Sequence, residues 1–298
     1  MIVSEPTPQR KTSGHVMALV CVFVWGSTFV VSKSLLELLE PLQLMFLRFT
    51  LAYIALWIIH PKWYFHWREE WRFLLMALFA NTLYCWAENT AITLTQTSNV
   101  SILVSTTPII TAVTMAIFHK EERLSRGQAI GFAAAFCGVV LVVFNGAVAL
   151  HMRPAGDLLA LLASASWAAY GMLLRRWSGE YDSVLITRKL MFYGALTVFP
   201  MAAALGLPEN AVGLLTWGNA AKLAYLGLVG SALCYLLWSR AVGQLGVLRA
   251  NLYIYMVPLV TLLVSAVVLR EKITAMGVAG IALVIGGMVL GTLSGGGK

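Results

Sequence analysis

The sequence predicts an all-α integral membrane protein of ten transmembrane helices, arranged as two inverted five-helix repeats with both termini cytoplasmic. Three observations carry that expectation. The chain is 59% hydrophobic and 11% charged, with a mean hydropathy of +0.80. Soluble domains carry about a quarter charged residues, so this chain lacks the means to cover a water-facing surface. Ten apolar runs each approach the roughly 20 residues that cross a hydrocarbon core. The chain also matches itself when one half is laid over the other.

The runs can be taken in order. A polar leader, 1–13, precedes the first run near 15–33. No small-residue cleavage pattern follows, so this run reads as a membrane helix and not a signal peptide. It sets Trp25 and Thr28 on one face. The second run, near 42–60, carries Arg48. Trp57, Trp63, Tyr64, Trp67 and Trp71 surround its connection to the third, as an interfacial belt would. The third run, near 72–94, places Asn81, Tyr84 and Glu88 on one face of a regular helix. In the fourth, near 98–118, Ser98, Ser101, Ser105 and Pro108 recur at helical spacing. The fifth, near 127–146, holds Gly127, Gly131 and Gly138. The sixth, near 157–175, sets Trp167 and Tyr170 as the first sets Trp25 and Thr28. The seventh lies near 184–206. The eighth, near 220–242, aligns Ser231, Cys234 and Trp238. The ninth, near 247–269, aligns Asn251, Tyr255 and Pro258. The tenth, near 275–293, holds Gly280, Gly287 and Gly291. The connections leave no room for a domain outside the membrane, and lipid forces the runs to be helices because nothing else there satisfies the backbone.

Charge orients the bundle. With the N-terminus inside, only Lys33, Arg153, Lys222, Arg270 and Lys272 fall at outer ends. Every other Lys and Arg falls inside, apart from Arg48 within a span, and the positive-inside rule puts both termini in the cytoplasm. The net charge of +8 would suggest nucleic acid on a soluble protein. Here it reports orientation, and no nucleic-acid partner is expected.

The self-match is specific. At one shift Gly14 meets Gly156, Trp25 meets Trp167 and Lys33 meets Arg175. At a slightly longer shift Leu83 meets Leu233, Ala91 meets Ala241 and Pro108 meets Pro258. After one residue of slippage Glu122 meets Glu271, Gly131 meets Gly280 and Gly138 meets Gly287. A hydropathic coincidence between Leu/Ala-rich spans would have to reproduce Trp, Pro and Glu in the same order. Five runs per half is an odd number, so the second copy enters the membrane upside down, a transporter signature. The expected organisation is a tail at 1–13, a first repeat at 14–146, a connection at 147–155, an inverted repeat at 156–293 and a tail at 294–298.

The residues Trp25-Gly26-Ser27, Leu47-Arg48-Phe49, Pro108 and Pro258, with E-R-L-S ending at Ser125 and E-K-I-T ending at Thr274, carry a resemblance. The chain resembles the drug/metabolite transporter superfamily in its ten-helix EamA-type branch, over nearly its whole length. Within that branch it looks most like the YddG-type exporters of aromatic and other neutral amino acids. The resemblance implies a central cavity lined by spans 1, 3, 4, 6, 8 and 9, a rear wall of spans 5 and 10, and residence in the cell inner membrane. Gly127/Gly131 and Gly287/Gly291 are G-x-x-x-G pairs, suited to packing within the chain or across a dimer, so a monomer and a weak dimer are both open.

Lipid offers polar groups no partner, so the stripes should face inward. The candidate substrate-binding residues are Trp25, Thr28, Asn81, Tyr84, Glu88, Ser101, Ser105, Trp167, Tyr170, Trp238, Asn251 and Tyr255. Trp86 is another deep ring, outside the interfacial belt. Interhelical glue is the competing reading for any single Ser or Thr. Pro108 and Pro258 cannot donate to Val104 O and Ile254 O, so each should bend its helix and free a carbonyl, as a hinge or as a plain kink. Arg48 and Glu88 lie at matching depth. They can pair with each other, or Glu88 can hold a substrate ammonium or a coupling proton. Glu122 and Glu271 precede helices and read as helix-start electrostatics, with Ser125 and Gln128 as a capping box. His15, His60, His66, His119 and His151 fall at helix ends or in loops and form no proton relay.

Several function classes are set aside. Cys21, Cys85, Cys137 and Cys234 form no C-x-x-C pair, so neither disulfides nor a metal site is expected. No nucleotide-binding loop motif occurs, and no nucleophile–base or metal constellation lies at depth. The expectation is a transporter without cofactor that exports small neutral, aromatic or apolar, amino acids or related metabolites by alternating access. Its partners are that solute and the bilayer; proton antiport and facilitated diffusion both fit. The rival readings are a multidrug or cationic-metabolite exporter using Glu88, and an intramembrane enzyme or receptor.

Overall fold

A computed structural model describes residues 8–95, 97–118, 125–144, 153–206, 211–268 and 274–294. All regular structure among these residues is helical: α1 (Pro8–Leu35), α2 (Pro41–Ile59), α3 (Trp67–Ala77), α4 (Tyr84–Leu94), α5 (Thr97–Val104), α6 (Thr107–Phe118), α7 (Arg126–Phe144), α8 (Pro154–Trp177), α9 (Ser183–Ala204), α10 (Ala211–Leu214), α11 (Trp217–Ala224), α12 (Cys234–Leu245), α13 (Val247–Leu252), α14 (Met256–Val268) and α15 (Ala275–Leu293). Glu122, Glu271, His119 and His151 lie outside the described residues, and so do the side chains of Ser98 and Ser101. Among the described residues eight helices are long and apolar enough to cross a membrane, and Ile102–Ile117 is a shorter apolar helix. The continuous run from α3 to α4 carries Asn81, Glu88 and Asn89, which dilute its apolarity. Asn81 and Asn89 are buried by neighbouring helices, as polar groups at membrane depth require.

The helix starts follow local chemistry. Pro41 opens α2 behind Glu40, whose backbone N–H donates to Gln43 Oε1 at 3.0 Å. Ser125 and Gln128 form the expected capping box at α7, with Gln128 N donating to Ser125 Oγ at 3.1 Å and Ser125 N to Gln128 Oε1 at 3.0 Å. Asp182 caps α9 and Thr274 caps α15.

Two runs contain a widened turn. Between α3 and α4 the chain passes through π1 (Leu78–Leu83), and between α11 and α12 through π2 (Tyr225–Leu233). The two lie at matching places in the self-alignment. Two further runs are broken at matching places: Ser105–Thr106 separates α5 from α6, and a 3-10 turn, Tyr253–Tyr255, separates α13 from α14. Both breaks fall in the turn just before Pro108 and Pro258, where the proline cannot donate to the carbonyl four residues earlier. The freed carbonyl is not free. Val104 O accepts from Thr107 Oγ1 at 2.7 Å and Ser164 Oγ at 3.2 Å, and Ile254 O accepts from the Met256 N–H.

Glycine sets the closest approaches. A Cβ on Gly131 would lie 2.6 Å from Gly287 O, and one on Gly280 would lie 2.7 Å from Gly138 O. The backbones of α7 and α15 thus touch, and the G-x-x-x-G faces are used inside the chain as a rear wall. These two contacts map onto each other under the self-alignment. The same holds for Gly14 against Leu245 and Gly156 against Thr95, each 2.8 Å from an added Cβ.

Candidate functional site

The packing of α1 against α12 and α14, and of α4 against α8, surrounds a central cavity. Its outline holds about 800 Å³ not filled by atoms, open solvent at the mouth included, of which the centre of a water-sized sphere can occupy about 70 Å³. Its wall is Trp25, Thr28, Phe29 and Ser32 from α1, Arg48 from α2, Tyr84, Cys85, Glu88, Asn89 and Ile92 from α4, and Trp167 from α8. Tyr235 from α12, Val104, Ser105 and Thr107 at the first break, and Ile254 and Val257 at the second complete it.

The W-G-S stretch explains how α1 is seated. Trp25 Nε1 donates to Gly230 O in π2 at 3.1 Å. Gly26 has no side chain because Val260 of α14 stands 2.7 Å from where a Cβ would be, and Thr261 Oγ1 donates to Gly26 O at 2.9 Å. Ser27 Oγ shares a hydrogen bond of 2.6 Å with Tyr225 OH. The widened turns expose carbonyls, and neighbouring helices use them: Ser166 Oγ donates to Phe79 O at 2.7 Å, and Tyr235 OH donates to Ala80 O at 3.0 Å.

Rings close one end of the cavity. Trp25 and Trp167 meet edge-on with centroids 5.3 Å apart, Trp238 lies 5.1 Å from Trp25, and Tyr170 lies 5.2 Å from Trp167. Tyr84 stands 4.9 Å from Trp167 on the cavity side. Aromatic pairs prefer such tilted contacts, which bury large apolar area.

Of the candidate residues, Trp25, Thr28, Tyr84, Glu88, Ser105 and Trp167 meet in the cavity wall. Tyr170, Trp238, Asn251 and Tyr255 do not; they are buried behind it, at 1% exposure or less. Asn251 Nδ2 is used by Thr111 Oγ1 at 2.8 Å. Asn81 is turned away altogether: its Nδ2 donates to Leu190 O at 3.1 Å, and it packs where Gly194 leaves room. Trp86 faces outward. The physical cause for Asn81 is π1, which inserts extra residues per turn, so Asn81 leaves the face shared by Tyr84 and Glu88. In the second half Tyr235 stands in the cavity wall and Trp238 is buried behind it.

Arg48 and Glu88 both line the cavity but form no ion pair. Arg48 Nε donates to Ser231 Oγ at 2.9 Å, and Tyr84 OH donates to Glu88 Oε1 at 2.7 Å. The expected Arg48–Glu88 pair is therefore replaced by two separate hydrogen bonds to hydroxyls. Sequence reasoning missed Asn89, Tyr235 and Thr107. Asn89 follows Glu88 directly and Thr107 precedes Pro108, so both lay within reach of the polar-stripe argument; Tyr235 lay off the Ser231, Cys234 and Trp238 stripe.

A second cluster sits where the α2–α3 and α8–α9 connections meet. Lys189 Nζ pairs with Glu70 at 2.6 Å, Arg188 lies over the Trp57 ring at 4.6 Å from its centroid, and Arg188 donates to His60 O and Lys62 O. Tyr64 and Tyr181 both donate to Glu69. Those hydroxyls, Tyr64 first, hold the Glu69 carboxyl below its ordinary range. Trp63, Trp67 and Trp71 remain exposed around this cluster.

Comparison with known proteins completes the picture. The description of the EamA-like transporter family matches the chain twice, over residues 12–144 and 154–293. An uncharacterized transporter of Archaeoglobus fulgidus is 28% identical over 289 residues, covering 93% of this chain and 96% of that one. A probable amino-acid metabolite efflux pump of Salmonella typhimurium is 27% identical over 288 residues, covering 92% and 93%. A probable terminal-alkyne amino-acid exporter of Streptantibioticus cattleyicolor is 29% identical over 192 residues, covering 64% and 62%. A protein of known crystal structure shares the fold with a TM-score of 0.77 at 18% identity, over 95% of this chain and 97% of the other.

Proposed function

Because the chain belongs to the EamA-like transporter family, and is thereby a multi-pass membrane transporter and not an enzyme, we propose that it exports small neutral amino acids with apolar or aromatic side chains across the cell inner membrane. In this reading ten helical runs span the bilayer as two inverted five-helix repeats, with both termini cytoplasmic. The halves alternate access to the central cavity. The single observation that carries the substrate class is the cavity's charge. Among the described residues its wall presents one guanidinium, Arg48, and one carboxyl group, Glu88, each hydrogen-bonded to a neutral hydroxyl and not to the other. Buried charges need compensation. An α-amino acid supplies it, its carboxylate to Arg48 and its ammonium to Glu88, while the rings of Trp25, Tyr84, Trp167 and Tyr235 suit its apolar side chain. The names borne by the Salmonella and Streptantibioticus relatives point the same way.

With the N-terminus inside, the cavity residues of α1 and α4 lie toward the outer ends of their helices. Tyr170, Trp238 and Tyr255 fill the inner half, which supports an outward-open arrangement. The rear wall uses its glycine faces internally, which supports a monomer. Counterflow in proteoliposomes tests the reading: labelled phenylalanine should accumulate against a preloaded gradient of unlabelled phenylalanine. Accumulation of a labelled quaternary amine in its place would assign Glu88 to a cationic solute and overturn the amino-acid reading.

A further inference from the structure

Trp25 and Trp167 occupy matching places in the two halves, but their indole N–H groups differ. Trp25 Nε1 donates to Gly230 O in π2. The matching carbonyl for Trp167 is Ala80 O in π1, and it is already taken by Tyr235 OH at 3.0 Å. The residue matching Tyr235 in the first half is Cys85, whose short thiol replaces the long phenol and leaves Gly230 O to Trp25. One Tyr/Cys difference thus breaks the symmetry. Trp167 Nε1 has no hydrogen-bond partner among the described residues, although Trp167 is 5% exposed and stands in the cavity wall. Asn89 Nδ2 is the second such donor in the wall, on a side chain 2% exposed.

Native structures seldom leave a buried donor unpaired, and the exceptions call for an explanation. Here both unpaired donors belong to residues in the wall of one cavity that also holds the Arg48 guanidinium, and a ligand oxygen brought into contact with them would satisfy them. The Trp167 ring packs on Tyr84, whose hydroxyl holds Glu88, so a donor for an anionic group and an acceptor for a cationic one stand side by side. Resting on the amino-acid reading above, we infer that Trp167 Nε1–H, with Asn89 Nδ2 in the same wall, reads the solute's carboxylate, and that Tyr235 is a positioning residue that keeps the indole available by occupying Ala80 O. Arg48 supplies countercharge; the indole N–H supplies direction. Removing Tyr235 OH leaves Ala80 O open to Trp167, as Gly230 O is to Trp25.

The test is inhibition of labelled phenylalanine counterflow in proteoliposomes by unlabelled phenylalanine and by phenylalaninamide, whose carboxylate is replaced by a neutral amide. The variants are Trp167→Phe, Tyr235→Phe and the double variant. A hydrogen bond to a charged acceptor corresponds to about tenfold or more in affinity. Trp167→Phe should weaken phenylalanine by about that factor and the amide far less. Tyr235→Phe should do the same, and the double variant should be no worse than Trp167→Phe alone, since Tyr235 acts through Trp167. Full discrimination retained by Trp167→Phe, or losses that add in the double variant, would overturn the inference. If Trp167→Phe does not fold, the milder Tyr235→Phe decides alone: a selective loss for phenylalanine supports the inference, and an equal loss for both inhibitors sinks it. Wild-type protein that moves no phenylalanine removes both readings, whereas wild-type transport with Trp167→Phe unchanged removes only this one.

Discussion

Glu88 puts a carboxyl group into a wall of aromatic rings, and one tyrosine hydroxyl donates to it there. Replacing it by Gln keeps an oxygen for Tyr84 OH and removes the charge. Glu88→Gln should therefore raise the half-saturation concentration for phenylalanine about tenfold in counterflow, the cost of an ion–ion hydrogen bond turned neutral; unaltered transport would exclude an ammonium at this residue. At the other cluster, Glu69 accepts from Tyr64 and Tyr181, which lowers its pKa in the folded protein. A lowered carboxylate pKa contributes stability above the unfolded value, about 4.3 for glutamate, and loses it as pH falls through the folded value. Thermal unfolding followed from pH 7 toward about pH 3 should show wild type more stable than Glu69→Gln at neutral pH, with the gap closing only in acid. That Arg48, Tyr84 and Glu88 lie together at membrane depth was legible in the sequence, whereas Glu69 and Tyr181 were not among its candidates. The partners were not legible: Arg48 and Glu88 looked like a pair by depth, but Ser231 and Tyr84 were closer in space.

At the scale of the element, the informative features are the two π turns and the rear wall. Regular helical spacing put Asn81 with Tyr84 and Trp238 with Ser231. The π turns shift the phase; Asn81 is turned to α9, and Tyr235 stands in the cavity wall where Trp238 was expected. No residue pattern in the sequence announced them, because a widened turn is held by tertiary donors such as Tyr235 and Ser166 on its carbonyls. The glycines of α7 and α15, by contrast, were readable, since close backbone contact demands a missing side chain. Gly131→Leu should destabilise the protein by at least about 3 kcal/mol, the upper range for overpacking, because the neighbour is backbone and cannot move aside. Loss of the monodisperse peak on gel filtration in detergent, or a fall in melting temperature, would register it. An unchanged melting temperature would mean that α7 and α15 do not touch as described.

At the scale of the whole molecule, the two halves repeat their contacts as well as their residues: Gly14 on Leu245 mirrors Gly156 on Thr95, and Gly131 on Gly287 mirrors Gly280 on Gly138. Such paired contacts are what two half-bundles related by a pseudo-two-fold axis require. Topology can be measured directly. A green fluorescent protein fused to the C-terminus should fluoresce and an alkaline phosphatase should be inactive, with the opposite result for fusions in the connection at 147–155; a periplasmic C-terminus would sink the inverted arrangement.

The sequence by itself determined the solvent, the helical class and the pairing of the two halves. Low charge, span-length apolar runs and matched Trp, Gly and Pro positions are properties of the chain before it packs. The tertiary structure alone decided which polar groups remain for a solute. Whether an indole N–H is spent or spare depends on whether another helix reached the carbonyl first, and at Ala80 O it was Tyr235 that did.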